Sequence, residues 1–293
     1  MTEPERYIAG VPCWVDTTQP DPDAAAEFYG ALFGWELEQV MPEDSPAKYY
    51  MARIRGGDVA AISSQMEGGP PQATWNTYVW VDSADETAEK VRAAGGQVLS
   101  EPFDVFDSGR MAVFADPEGA VISAWQPNRH RGATIVNEHG AVNFNDLHTR
   151  DLESAKAFYG QVFGWGSMEF GPGSGMWTLP AYGDRLEERD PGLRERMKDT
   201  GAPEGFENVV ASYQPLSDDA PPHWGVTFGV DDADAIAKRA EELGGQVLAP
   251  PFDAPWVRMT VLRDPQGATF VASKFVPENK DLGAPADAGV TGA

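Results

Sequence analysis

The segment from Ala25 to Trp35, AAEFYGALFGW, returns as Ala155 to Trp165, AKAFYGQVFGW, with Tyr29 and Tyr159 lying 130 residues apart. A second pair runs from Val81 to Asp104 and from Val230 to Asp253, sharing VD, GGQVL and PFD. It continues into ADPEGA at Ala115 to Ala120 and RDPQGA at Arg263 to Ala268. Self-similarity of this length means that one supersecondary plan is used more than once. The chain therefore reads A-B-A′-B′, and its 293 residues are enough for two domains with a core each.

In each A unit a short apolar strand, Val11 to Val15 and again from Val142 to Phe144 onward, runs into an Asp-led helix start. Asp21 and Asp151 are the expected caps, and Ala24, Phe28, Leu32 and Phe33 are expected on one helical face. Strands at Glu36 to Val40, Tyr49 to Ile54 and Val59 to Ser63 follow. Each B unit repeats the plan: strand Thr77 to Val81, helix Ala84 to Ala94 stopped by Gly95 and Gly96, then strands near Gln97 to Leu99, Met111 to Ala115 and Val121 to Trp125. The predicted fold class is α+β, four βαβββ modules in two tandem domains. Domain one is expected over 1–127, a linker over 128–140, domain two over 141–276 and a frayed tail over 277–293. Linker and tail are expected to carry no chemistry. A charged insertion in domain two, 183–215, reads as a solvated surface excursion with a short helix; a lid over the second cleft is the alternative.

Composition narrows the partners. A formal net charge of −24 repels phosphate backbones and anionic headgroups, so neither nucleic acid nor a membrane surface is expected as a partner. The single cysteine, Cys13, excludes an intrachain disulfide or a cysteine zinc cluster and reads as a buried core thiol. The N-terminal MTEPERYIAG lacks the basic patch and apolar run of a secretion signal, and no run of 18 apolar residues occurs, which predicts a cytoplasmic protein.

FYxxxFGW after a first strand, a GG turn after the second helix and DPxG before a last strand resemble the vicinal oxygen chelate superfamily, which groups glyoxalases, bleomycin resistance proteins and dioxygenases. The resemblance covers 8–127 and 141–276 and implies paired modules whose sheets curve around one cleft per domain. It also implies where metal-dependent members hold their ion. Those positions fall here on Trp14 and Phe144 in the first strands, Ser123 and Val271 after DPxG, and near Asn76 and Gly225. Indole, phenyl, hydroxyl, isopropyl, amide and hydrogen replace imidazole and carboxylate, so no cofactor and no metal is expected in the usual site. Asp146, His148 and His223 are the residues from which a displaced metal site would have to be built.

Strand alternation places Trp14 beside Asp16, and Phe144 beside Asp146. By the same rule Asn76, Tyr78 and Trp80 share a face, as do Ser123 and Trp125. These residues, with His148, His223 and Trp224, are the expected ligand-binding set, an aromatic lining suited to a flat, partly polar ligand. The leading expectation is metal-independent binding of a small aromatic or polyketide-like molecule by a monomer or homodimer. A metal-independent isomerase, lyase or cyclase is the second reading: burial raises a carboxylate's pKa, which would make Asp16 or Asp146 a general base, with Arg110 and Arg258 holding an oxyanion. Surface ion pairs are the plainer role for both arginines. A metal-dependent lyase or oxygenase with displaced ligands is the third.

Overall fold

The computed structural model describes residues 6–282 apart from 43, 66–71, 172 and 217–219. The first module comprises β1 (Pro12–Gln19), α1 (Pro22–Phe33), β2 (Glu36–Gln39), β3 (Tyr49–Ile54) and β4 (Gly57–Ser64). The second comprises β5 (Thr74–Trp80), α2 (Ala84–Ala93), β6 (Gln97–Val105), β7 (Gly109–Ala115) and β8 (Val121–Pro127). The third runs through β9 (Val142–Thr149), α3 (Leu152–Phe163), β10 (Gly166–Gly171), β11 (Ser174–Thr178), the inserted helices α4 (Pro180–Arg189) and α5 (Leu193–Asp199), and β12 (Val209–Pro215). The fourth holds β13 (His223–Gly229), α6 (Ala233–Glu242), β14 (Gln246–Ala254), β15 (Val257–Arg263) and β16 (Thr269–Phe275). Each repeat supplies one mixed eight-stranded sheet, ordered β2-β3-β4-β1-β5-β8-β7-β6 in the first and β10-β11-β12-β9-β13-β16-β15-β14 in the second. The α+β plan of four modules is therefore observed.

The repeated motif has a physical reason at each position. Asp21 accepts the amides of Asp23 and Ala24, and Asp151 that of Ser154, satisfying helix N-termini that Pro22 and Leu152 begin. Gly34 and Gly164 end those helices at φ 72° and 75°, a left-handed conformation that a side chain would oppose. The tryptophans that follow direct their indole N–H groups onto backbone carbonyls, Trp35 onto Gly140 and Trp165 onto Gly10, both at 2.7 Å. Ala24, expected on the apolar face of α1, is exposed; Ala25, Phe28, Tyr29, Leu32 and Phe33 are buried, a stripe at i, i+3, i+4, i+7 and i+8 that leaves Ala24 at its edge.

The chain packs into two compact units, each drawing a module from either repeat. One contains 1–13, 78–131 and 145–224; the other contains 14–77, 132–144 and 225–293. In the second unit Phe28, Tyr29, Phe33, Trp35, Trp75, Phe228 and Phe270 form the centre of the core. In the first, Phe114, Phe158, Tyr159, Phe163, Trp165, Trp177 and Trp224 do so. Burial of each such ring contributes roughly 1.5–3 kcal/mol. A tyrosine–aspartate bond ties modules together inside each unit: Tyr29 donates to Asp264 at 2.9 Å and Tyr159 to Asp116 at 3.0 Å, the aspartates being those of DPxG.

The insertion contains two helices where one was expected. Tyr182 of α4 lies within reach of the charges of Arg6 and Arg189. Past Phe275 the chain makes a single turn of 3-10 helix at Pro277–Asn279, and the rest of the expected tail from 283 lies outside the described residues.

Candidate functional site

In the second unit, β1 runs parallel to β4 with Asp16 opposite Ala61 and Thr18 opposite Ser63, while antiparallel β3 sets Tyr49 opposite Ser63. Period-two alternation therefore gathers Trp14, Asp16, Thr18, Tyr49 and Ser63 on one face, away from the Val15 side that packs the core. Trp14 Nε1 donates to the Tyr49 hydroxyl at 3.3 Å, and that hydroxyl donates to Asp16 Oδ2 at 3.4 Å. Asn76 Nδ2 donates to Asp16 Oδ1 at 2.8 Å and to Thr18 Oγ1 at 2.9 Å. Ser63 Oγ reaches Thr18 Oγ1 at 3.4 Å.

Trp14 and Asp16 are only 4% exposed, whereas Thr18, Tyr49, Ser63 and Asn76 are half-buried. A buried carboxylate is tolerated because directed donors surround it. Burial, and then the charge of Asp16, push the Tyr49 phenol well above its ordinary pKa, so it remains a neutral donor at physiological pH. Tyr49 and Thr18 were not among the residues expected at the site. The alternation that gave Trp14 and Asp16 also gives Thr18; Tyr49 required the β3–β4 register.

The other residues expected in the first domain's lining, Tyr78, Trp80, Ser123 and Trp125, belong to the first unit. Register sets Tyr78 opposite Ser123 and Trp80 opposite Trp125, as one face requires. All four are buried, at 4–8% exposure. The chain itself covers them: Tyr7 stacks on Trp80 with centroids 5.9 Å apart, Arg131 sits 5.3 Å over the Trp80 ring, and Trp125 Nε1 donates to the His130 carbonyl at 3.0 Å. The beginning of the expected linker thus packs on aromatic rings. Gly109 makes room for one of them, since a Cβ there would lie 2.5 Å from Trp125 Cζ2.

The corresponding residues of the second repeat are arranged differently. Asp146, opposite Ser212 in the β9–β12 register, accepts that serine's hydroxyl. His148 and His223 stack with centroids 4.5 Å apart and planes 6° from parallel. Burial, and then the proximity of His223, hold His148 down at about 4. His223 Nδ1 contacts the Pro221 carbonyl at 2.9 Å. Phe144 is half-buried, and Trp224 faces the core, where its indole donates to Tyr159 at 2.8 Å.

Arg110 forms a two-pronged ion pair with Asp85, at 2.8 and 2.9 Å, and a third bond to Asp104. Arg258 does the same with Asp234 and Asp253. Both guanidiniums are thus turned onto the first turns of α2 and α6, complementing acidic helix starts.

The donor chemistry does not fit a metal at the positions the fold implies. The indole of Trp14 only donates, Asn76 turns its NH₂ toward Asp16, and Ser123 and Val271 supply no anionic oxygen or imidazole. Nor do the two histidines converge, because lone pairs of parallel rings lie in parallel planes. Among the described residues no group of three or more His, Cys, Asp or Glu side chains is placed to hold an ion. Among them, too, no helix is long and apolar enough to cross a membrane.

Relatives share this architecture. The chain is 40% identical over 283 residues to "Putative glyoxylase CFP32" of Mycobacterium bovis, an alignment spanning 95% of this chain and 100% of that one. It is 33% identical over 279 residues to the anthracycline biosynthesis protein DauV of a Streptomyces species, covering 90% and 93% respectively. Among solved structures, the Mn(II)-bound glyoxalase of Novosphingobium aromaticivorans matches with a TM-score of 0.59 at 15% identity, over 91% of this chain and 82% of that one. The family model for the glyoxalase/bleomycin resistance protein/dioxygenase superfamily matches 14–123 and 141–271, the two halves that the FYxxxFGW repeat delimits. With a repeated module plan, a matching topology and full-length relatives in agreement, the chain belongs to the glyoxalase/bleomycin resistance protein/dioxygenase superfamily.

Proposed function

We propose that this protein binds a small aromatic, polyketide-like molecule without a metal, at the Trp14–Tyr49–Asp16–Asn76 network. The observation that carries the reading is the substitution of chemistry at one place. Where metal-dependent relatives would present a ligand, the chain presents an indole and a carboxylate joined by a phenol, with a half-buried amide beside them. Such a set recognises a flat ring by contact with aromatic surface and by one or two directed hydrogen bonds. The resemblance to a protein named for anthracycline biosynthesis supports an aromatic polyketide as ligand.

The test is calorimetric titration of the full chain with planar aromatic polyketide rings, with and without chelator, followed by recovery of the ligand. Saturable binding unaffected by chelator, with the ligand recovered unchanged, is the expected result. Binding that chelator abolishes would overturn the metal-independent reading. Turnover abolished by Asp16→Asn would instead make Asp16 the general base of an isomerase, lyase or cyclase.

A further inference from the structure

We infer that the site selects ligands by a free ring hydroxyl, through Asn76 Oδ1 acting as a fixed hydrogen-bond acceptor; this rests on the binding reading above. An asparagine side chain offers two donors and one acceptor oxygen, and which end faces a ligand is decided by its neighbours. The Asp16 carboxylate, which only accepts, fixes the answer, and the Thr18 hydroxyl accommodates it. Nδ2 gives one proton to Asp16 Oδ1 at 2.8 Å and the other to Thr18 Oγ1 at 2.9 Å. Turning the amide over would put its oxygen against the carboxylate oxygen at that same short distance, acceptor against acceptor. Oδ1 therefore points away from Asp16, and among the described residues no group donates to it.

Asn76 is half-buried, and its Oδ1 is not among the side-chain atoms sealed from solvent without a partner. A partly desolvated acceptor of fixed direction favours a partner that brings a proton. A phenolic or enolic O–H does so; a ring ether or quinone carbonyl at the same point does not, and leaves the amide oxygen unpaired. The Tyr49 hydroxyl is already engaged on both sides, donating to Asp16 and receiving the Trp14 indole.

The second repeat lacks the device. At the position of Asn76, β13 has Gly225, and Asp146 is occupied by Ser212, whereas Asp16 has Ala61 as its neighbour in the corresponding register. Ala61 offers no hydroxyl, which leaves the Asp16 carboxylate to orient Asn76. One hydroxyl-selective site per chain follows.

The experiment compares 2-hydroxyanthraquinone with 2-methoxyanthraquinone by calorimetry, at a pH where the phenol remains protonated, on the full chain and on Asn76→Leu. The 2-position avoids an internal bond to the quinone carbonyl. The expected result is one site per chain and about tenfold tighter binding of the hydroxy compound, the equivalent of one partly buried hydrogen bond, with the preference lost in Asn76→Leu. Equal or reversed affinity in the unaltered protein would overturn the inference and leave the binding reading standing. A preference that survives in Asn76→Leu would remove the role from Asn76. Failure of both compounds to bind would overturn the binding reading and the inference together. The comparison in the unaltered protein needs no variant to fold.

Discussion

Replacing Tyr29 by Phe removes one oxygen and no carbon, so it tests the internal tie of the second unit without opening an appreciable apolar cavity. That oxygen is fully buried, donates to Asp264 Oδ2 at 2.9 Å and accepts from Trp75 Nε1 at 3.1 Å. Losing a bond to a carboxylate costs about 1.5–3 kcal/mol, and leaving a buried indole N–H unsatisfied costs about 1–3 kcal/mol more. Asp264 keeps Gln19 at 2.7 Å and the amides of Gln266 and Ala268, so the carboxylate is not abandoned. A total of about 3–5 kcal/mol is expected, a large fraction of the roughly 5–15 kcal/mol typical of a domain. Tyr159→Phe removes the equivalent pair, 3.0 Å to Asp116 and 2.8 Å from Trp224, and should weaken the first unit by a similar amount. Urea unfolding followed by near-UV dichroism and tryptophan emission measures both. If each unit has its own transition, each variant moves a different one. A shift below about 1 kcal/mol in either variant would show that the tyrosine–aspartate bond is not what holds the modules together.

Further expectations concern pH and charge. Burial first, and nearby acidic groups second, raise the phenols of Tyr29, Tyr49 and Tyr159 well above their ordinary value. Their contribution is whole below the unfolded phenol pKa of about 10 and declines as pH rises past it, so alkaline titration should unfold the chain before these tyrosines ionise, visible as phenolate absorbance appearing with the loss of near-UV dichroism. His148, held at about 4 by burial and by His223, stabilises the neutral state; that contribution is full above about 6.5 and is lost as pH falls toward the folded value. Proton NMR titration should find its midpoint near 4, moving upward in His223→Ala. Burial raises Glu118, but the Thr149 hydroxyl and the amides of Asp151 and Arg150 lower it further, leaving a net depression. Stability from this group is present above its unfolded pKa and lost as pH falls through the folded one. Gln266, its counterpart, clasps the Asp21 backbone through both amide atoms at 2.7 Å and does not titrate. Glu118→Gln should therefore fold and should lessen acid unfolding, measured by thermal melts between neutral and acidic pH.

The module plan was legible because each piece of it answers to local chemistry. FYxxxFGW marks a helix whose buried stripe, left-handed glycine and carbonyl-seeking tryptophan follow one another at fixed spacing. Trp14 and Asp16 were legible together because period-two alternation is a property of a single strand, whereas Asn76, on β5, came in only through the position that the family resemblance implies. Register is not: the β3–β4 pairing brings Tyr49 between Trp14 and Asp16, and nothing local to Tyr49 announces it. Coverage by remote segments was equally hidden. Tyr78, Trp80 and Trp125 share the face that alternation assigned them, yet Tyr7, His130 and Arg131 lie on it, and that depends on where two irregular segments run. Arg110 and Arg258 illustrate a third case, since only the packing of α2 and α6 brings Asp85 and Asp234 within reach of them.

Besides Asn76 against Gly225, the repeats diverge at the residue on the strand beside each aspartate. Asp16 and Asp146 occupy the same place in their modules and face the same way. Beside Asp146, Ser212 supplies a hydroxyl from the adjacent strand to the carboxylate. Beside Asp16, Ala61 supplies none, and the carboxylate draws its donors from Tyr49 and Asn76. The buried charge then does something the serine-bonded one does not: it fixes the direction of an amide. Ala61→Ser would test whether that difference is enough. A hydroxyl placed opposite Asp16 would compete with Asn76 for Oδ1, free the amide to rotate, and reduce the preference for a hydroxylated over a methoxylated ring while leaving the Trp14 contact in place. Retention of the full preference in Ala61→Ser would mean that the hydroxyl opposite Asp16 does not displace the carboxylate's hold on Asn76, and that the Ala61/Ser212 difference does not explain the divergence.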